Sequence, residues 1–354
     1  MTLRWHCSYN GAVTRVWRRG AITALFASAC FLGLVSAAAA DELVDAGPAP
    51  VVKVWLDTGK LTVETWDNPT VLVTSRGQVT VDHMSAQQAG PAPRSISVVS
   101  QSIPGPNGSV TLPAESFVLP KLGDGHQAVV ASGSGDTTVE IPRGTALVVA
   151  HVRRGRVTLS NYDGAFVAHV RTGAVVLDRV SGTGFAEVMR GPVVADHSTF
   201  TRLRVRTALG NMLFRGCTSH QIEATSTYGS IVYDNGRFQP GLAHFESEHG
   251  NVALGVRGSA QIGAHSGSGH IVSKFANDAQ INGNGRDAQA SVRGGGPMVT
   301  TNARNGSVFL YNGSMRAHPE LQRDLLQGRP ASPAFRALEG GQTARPQARP
   351  HAPP

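Results

Sequence analysis

His151, His169 and Glu187 stand 18 residues apart, and Arg153, Arg171 and Arg190 nearly repeat that step. Two imidazoles and a carboxylate make a ligand set for zinc or nickel if the fold stacks them. Guanidinium forks suit carboxylates and phosphates. Arg154 and Arg156 join the same cluster within the stretch "HVRRGRVTLS", 151–160. The chemistry these eight residues support is anion binding, with an anionic envelope glycan or a lipid headgroup as ligand. The plainer alternative is a solvated polar ladder whose arginines pair with Asp163, Asp178 and Glu187 at little energetic gain. No metal and no cofactor is assigned to the chain.

A second set is acidic. Asp178 and Asp196 are 18 residues apart, and Asp234 lies two steps beyond. Carboxylates one level apart can serve as acid and base on a glycan, but no aromatic residues gather beside them as sugar subsites. No G-x-S-x-G, H-E-x-x-H or P-loop occurs. A third set is apolar: Val176, Val194, Leu213, Val232, Val272 and Phe309 fall at a position that should face outward. β-Branched residues favour strands in any case. Otherwise the stripe is covered by the 83–127 segment, by a second subunit or by a protein partner.

The elements that must position these residues form a repeat. A small residue followed by alternation, G-x-Φ-x-Φ, starts at 155, 173, 191, 210, 229, 250, 269, 288 and 306, and earlier copies start at 59, 77 and 108. A short second alternation precedes most of these glycines by seven residues, so each repeat holds at least two strands. Period two puts one face inward and one outward. A step of 18 or 19 residues is too short for a crossover helix or a propeller blade. It suits one coil of a parallel β-helix, each coil stacking about 4.8 Å from the last. Right-handed coiling is the default for parallel connections. The predicted fold is therefore all-β, a right-handed parallel β-helix (β-solenoid). Val157, Val175, Val193 and Met212 head one inward column, and Leu159, Leu177, Ala195 and Phe214 the next. The glycine is expected to permit positive φ or close approach between coils. Cys217 is expected in the core.

The segment "TTVEIPRGTALVVAHVRRGRVTLSNYDGAFVAHVRTGAVVLD" (137–178), with its Pro-x-Gly and recurrent Gly-x-Val, resembles the bacterial "putative adhesin" family. The resemblance spans roughly residues 51–314, with "GKLTVETWDNPTVLVTSRGQVTV" (59–81) fitting the same pattern. It implies an exported, repeat-built β-helical domain. The family carries no assigned catalytic residues to transfer. Two stretches depart from its pattern: an insertion at 83–127 and an Arg/Pro-rich tail.

The ends complete the plan. Arg15, Arg18 and Arg19 precede an apolar run, and Ala38 and Ala40 fit an A-x-A cleavage site, so residues 1–40 read as a signal peptide. Cleavage at Cys30 as a lipoprotein is the alternative. Removal of residues 1–40 takes Cys7 and Cys30 with the leader and leaves Cys217 without a disulfide partner in the mature chain. No later run is long enough for a membrane helix. Residues 41–314 form the β-helix domain, 315–328 a short helix over its last coil, and 329–354 a disordered tail. The formal charge is +8, but the leader contributes four arginines and the tail a surplus of three, so residues 41–314 carry only +1. Nucleic acid is therefore not an expected partner. The sequence predicts an exported protein of a bacterial periplasm or cell surface, with no transmembrane anchor after cleavage. Its expected role is a non-enzymatic, adhesin-like or scaffold surface for an anionic glycan or an envelope protein. The alternatives are a polysaccharide-active enzyme and a self-assembling, homo-oligomeric solenoid.

Overall fold

Alternating apolar residues around the corner glycines become strands, and the chain is all-β. The computed structural model describes residues 40–47, 49–84, 95–120, 127–275 and 279–321. The expected leader up to Ala39, the tail and residues 322–328 of the expected helix lie outside them. Among the described residues 26 strands form, 22 of them in one sheet.

At the N-terminal end, β1 (Ala40–Asp45) runs antiparallel to β3 (Thr70–Ser75). Between them comes β2 (Val51–Trp66), the first long strand of the repeat. β4 (Gln78–Met84) follows. Four short strands make two hairpins apart from the main sheet: β5 (Ser95–Val98) pairs with β8 (Glu115–Val118), and β6 (Gln101–Gly105) with β7 (Gly108–Leu112). β9 (Ala128–Ser134) and β10 (Thr137–Pro142) then pair in parallel with the two halves of β2. β4 and β3 lie antiparallel against them. The copies at 77 and 108 are thus not levels of the parallel repeat. An antiparallel pair satisfies the same two-residue period as a parallel one, so the pattern alone admitted them.

The central levels follow the expected register. β11 (Leu147–Ser160) lies between β2 and β12 (Asp163–Asp178), with Gly155 level with Gly59 and Gly173. From there each level is split in two. β13 (Ser181–Arg190), β15 (Thr199–Leu209), β17 (Thr218–Tyr228) and β19 (Leu242–His249) continue one face. β14 (Val193–Asp196), β16 (Met212–Arg215), β18 (Ile231–Phe238) and β20 (Val252–Val256) continue the other.

The C-terminal levels depart from sequence order. The remaining strands are β21 (Ala260–Ser266), β22 (Ile271–Lys274), β23 (Ala279–Gly283), β24 (Asp287–Val292), β25 (Met298–Ala303) and β26 (Val308–Asn312). β25 and β26 insert between earlier strands: Val252 faces Val308, and Val308 faces Ile271. The copy at 288 lies in β24, antiparallel to both β21 and β23. Stacking in sequence order therefore ends at the copy starting at 250.

Val157, Val175, Val193, Met212 and Ile231 form an unbroken buried column, with Leu159, Leu177, Ala195, Phe214 and Tyr233 beside it. Each full burial of a Val or Leu is worth about 1.5–3 kcal/mol. A third column changes chemistry along its length, from Val152, Val170 and Val188 to Thr207, Ser226 and Ser247. Ser226 and Ser247 donate to the carbonyl oxygens of Gly210 and Gly229, at 3.2 and 2.8 Å. The corner glycines are a packing requirement: a Cβ on Gly173 would strike the carbonyl oxygen of Gly155, at φ +141°. At the opposite corner Asn161, Arg179, His197, Gly216 and Asn235 all take a left-handed conformation, φ 46–59°.

Candidate functional site

The strand register places His151, His169, Glu187 and Arg206 on four neighbouring strands, in that order. His151 and His169 stack, with ring centroids 4.6 Å apart. His169 Nδ1 lies 3.1 Å from Glu187 Oε1, and Arg206 Nε donates to Glu187 Oε2 at 3.1 Å. Glu187 is wholly buried, and His169 and Arg206 nearly so. Burial opposes ionisation of Glu187, but the His169 and Arg206 contacts prevail and hold its carboxyl below the ordinary range. Burial, then the neighbouring His169, push His151 down to about 4, against a smaller upward pull from Asp57.

The cover over this ladder is the double hairpin β5–β8. Phe117 and Leu119 pack on Leu147, Val167 and Phe185, while Ile103, Val110 and Leu112 pack on Met189 and Ala208. Arg202, Arg204 and Arg206 alternate along β15 and hold the hairpins from below. Arg206 Nη1 reaches Glu115 Oε2 at 2.5 Å and Arg206 Nη2 reaches the Pro113 oxygen at 3.0 Å. Arg204 bonds Glu115 on one side and Glu223 on the other. Arg202 donates to the Val118 oxygen, its guanidinium 4.9 Å from the Phe117 ring centre. Gln101 Nε2 lies 3.0 Å from His169 Nε2. Sequence reasoning passed over Arg202, Arg204, Glu115 and Gln101. The R-x-R-x-R alternation of 202–206 was their signal.

The eight residues of the expected patch are therefore divided. His169 and Glu187 are structural, sealed under the hairpins, and His151 is half-buried. Arg190 Nη2 donates to the Pro104 oxygen at 2.9 Å, and Arg153 pairs with Asp57 at 3.2 Å. Arg154, Arg156 and Arg171 stay exposed and make no ion pair among the described residues. Lys60, level with Arg156, adds a fourth cation to this cluster. Glu187 is already committed to Arg206 and His169. Among the described residues no three His, Cys, Asp or Glu side chains converge on a cation position.

Asp178 and Asp196 are level, as the spacing requires, but Arg215 stands between Asp196 and Asp234. Arg215 pairs with Asp196 at 2.8 Å, and Arg179 with Asp178 at 2.7 Å. Asp234 accepts from Ser314 Oγ at 3.1 Å and from the Met315 nitrogen at 2.6 Å, fastening a 3-10 turn at Met315–Ala317. The apolar stripe begins at Val176 and Val194 and is covered at its far end. Val232, Ala253, Phe309 and Tyr311 bury Leu321, with Leu213, Val272 and Met315 at the margin. The cover here comes from the segment after β26. Cys217 is buried, and burial pushes its thiol up to about 12.

No helix among the described residues is long and apolar enough to cross a membrane. No family model and no curated protein matches the chain. Among solved structures, a "putative cell adhesion protein" from Clostridium sporogenes aligns over 77% of this chain and 99% of its own, at 9% identity and a TM-score of 0.21. A likeness at that level carries no argument for fold or function.

Proposed function

We propose that this chain is an exported, adhesin-like envelope scaffold, a right-handed parallel β-helix that binds an anionic glycan through an exposed cluster of cations. Parallel strands returning every 18 or 19 residues support the coil, and parallel connections are right-handed in about 98% of cases. The observation that carries the ligand reading is Arg154, Arg156 and Arg171 with Lys60. They are exposed around one corner of three adjacent strands, with Lys60 level with Arg156 and Arg154 two residues before it, and with no carboxylate paired to them among the described residues. A cluster of unpaired cations suits the carboxylates of an anionic polymer. The commitment of Asp178, Asp196 and Asp234 to Arg179, Arg215 and the C-terminal turn supports a non-enzymatic role.

Binding of the full chain to polygalacturonate, with and without added salt, tests this reading. Affinity should fall at least about tenfold between about 50 and 500 mM salt. It should fall comparably when Arg154, Arg156 and Arg171 become Gln. Binding that ignores both changes, or release of new reducing ends, defeats it.

A further inference from the structure

The outward faces of β19, β25, β21, β24 and β23 form a platform at the other end of the sheet. Register sets His244, Thr300, Gly263, Gln289 and Asn282 in one row across it. Glu246, Asn302, His265 and Asp287 form the row beside it. A groove of about 620 Å³ lies over these rows. Its floor is Gly263, where a Cβ would meet nothing within 4 Å.

We propose that this groove binds an uncharged saccharide. Its acids are already partnered: His265 Nδ1 lies 2.6 Å from Asp287 Oδ1, and Arg304 lies 3.1 Å from Glu246. A charged ligand finds no carboxylate without a partner there. What remains open is amide chemistry. Asn282 and Gln289 stand side by side, exposed, with no side-chain hydrogen bond among the described residues. Each amide both donates and accepts, as sugar hydroxyls do. The His244–Thr300 pair, 2.9 Å apart, closes the far side of the row. Leu242 and Met298, level with each other and more than half exposed, flank the groove. They offer the apolar surface that the C–H face of a sugar ring requires. The groove volume is that of a small-ligand site. The site shares no residue with the arginine cluster, so either can fail alone.

Isothermal titration of the full chain with chitotriose, mannotriose and maltotriose tests the proposal. At least one should bind with a Kd of about 0.1–1 mM, unchanged between about 50 and 500 mM salt. The double variant Asn282→Ala with Gln289→Ala should weaken it about tenfold. Gly263→Leu should abolish it by filling the floor, and the open space there leaves folding intact, checked by an unchanged melting curve. The proposal is overturned if none of the three sugars binds at about 10 mM. It is equally overturned if binding survives both variants or disappears with salt.

Discussion

Arg206 and Glu187 are bonded on adjacent strands, Nε to Oε2 at 3.1 Å, and both are sealed beneath the hairpins. Removing Glu187 takes away the charged partner of Arg206 Nε and leaves Arg206 held by Glu115 alone among the carboxylates. Glu187→Ala should therefore lower unfolding free energy by about 1.5–3 kcal/mol. The double variant with Arg206→Met should recover part of that loss. Urea denaturation of the four chains gives the coupling, and additive losses would show the two side chains to be independent.

The same ladder predicts an acid sensitivity in two windows. His151 is pushed from 6.5 down to about 4, so between those values the unfolded chain takes a proton that the native chain refuses. Stability should fall as pH drops through that range, by at most about 3 kcal/mol. Glu187 has the opposite kind of group and a lower window. Its native value is depressed from 4.5, so its contribution is complete above 4.5 and is lost as pH falls through the native value. Urea midpoints at about pH 7 and about pH 4.5 should differ more for the parent than for His151→Phe.

Gly173→Ala should destabilise by more than about 2 kcal/mol, because its Cβ has the Gly155 carbonyl in its path. Gly144→Ala is the control, since a Cβ there meets nothing within 4 Å. Thermal melts compare them directly, and equal losses would show that the corner tolerates side chains.

Leu321 is buried against Val232, Ala253 and Phe309. Leu321→Ala should lower stability by about 2–5 kcal/mol and expose the stripe to a hydrophobic dye. An unchanged melt and no dye binding would mean that the stripe needs no such cover.

The central levels were legible because three signals coincide at each: a glycine corner, an inward pair and a fixed step. Val157, Val175 and Val193 needed no more than that. The placement of Val308 between Val252 and Ile271 was not legible, since every strand carries the same pattern and nothing in it ranks neighbours. The site was half legible. The step correctly aligned His151, His169 and Glu187, but solvent exposure was inferred from alternation alone. Phe185, Ala186, Val188 and Met189 around Glu187 are apolar on both faces, which is the mark of a strand covered on both sides. The hairpins that cover it lie more than 60 residues earlier, beyond the reach of a local pattern.

β26 sits between β20 and β22, although both are made before it. During synthesis Val252–Val256 and Ile271–Lys274 are both made before the strand that separates them. If they close on one another first, the arriving residues 308–312 have no seat. This end of the molecule is thus completed by a late, long-range step, the kind that slows folding and leaves edges open to aggregation. The order of manufacture and the order of stacking disagree here, as they do at the other end, where β9 and β10 come to lie between the earlier strands β2, β3 and β4.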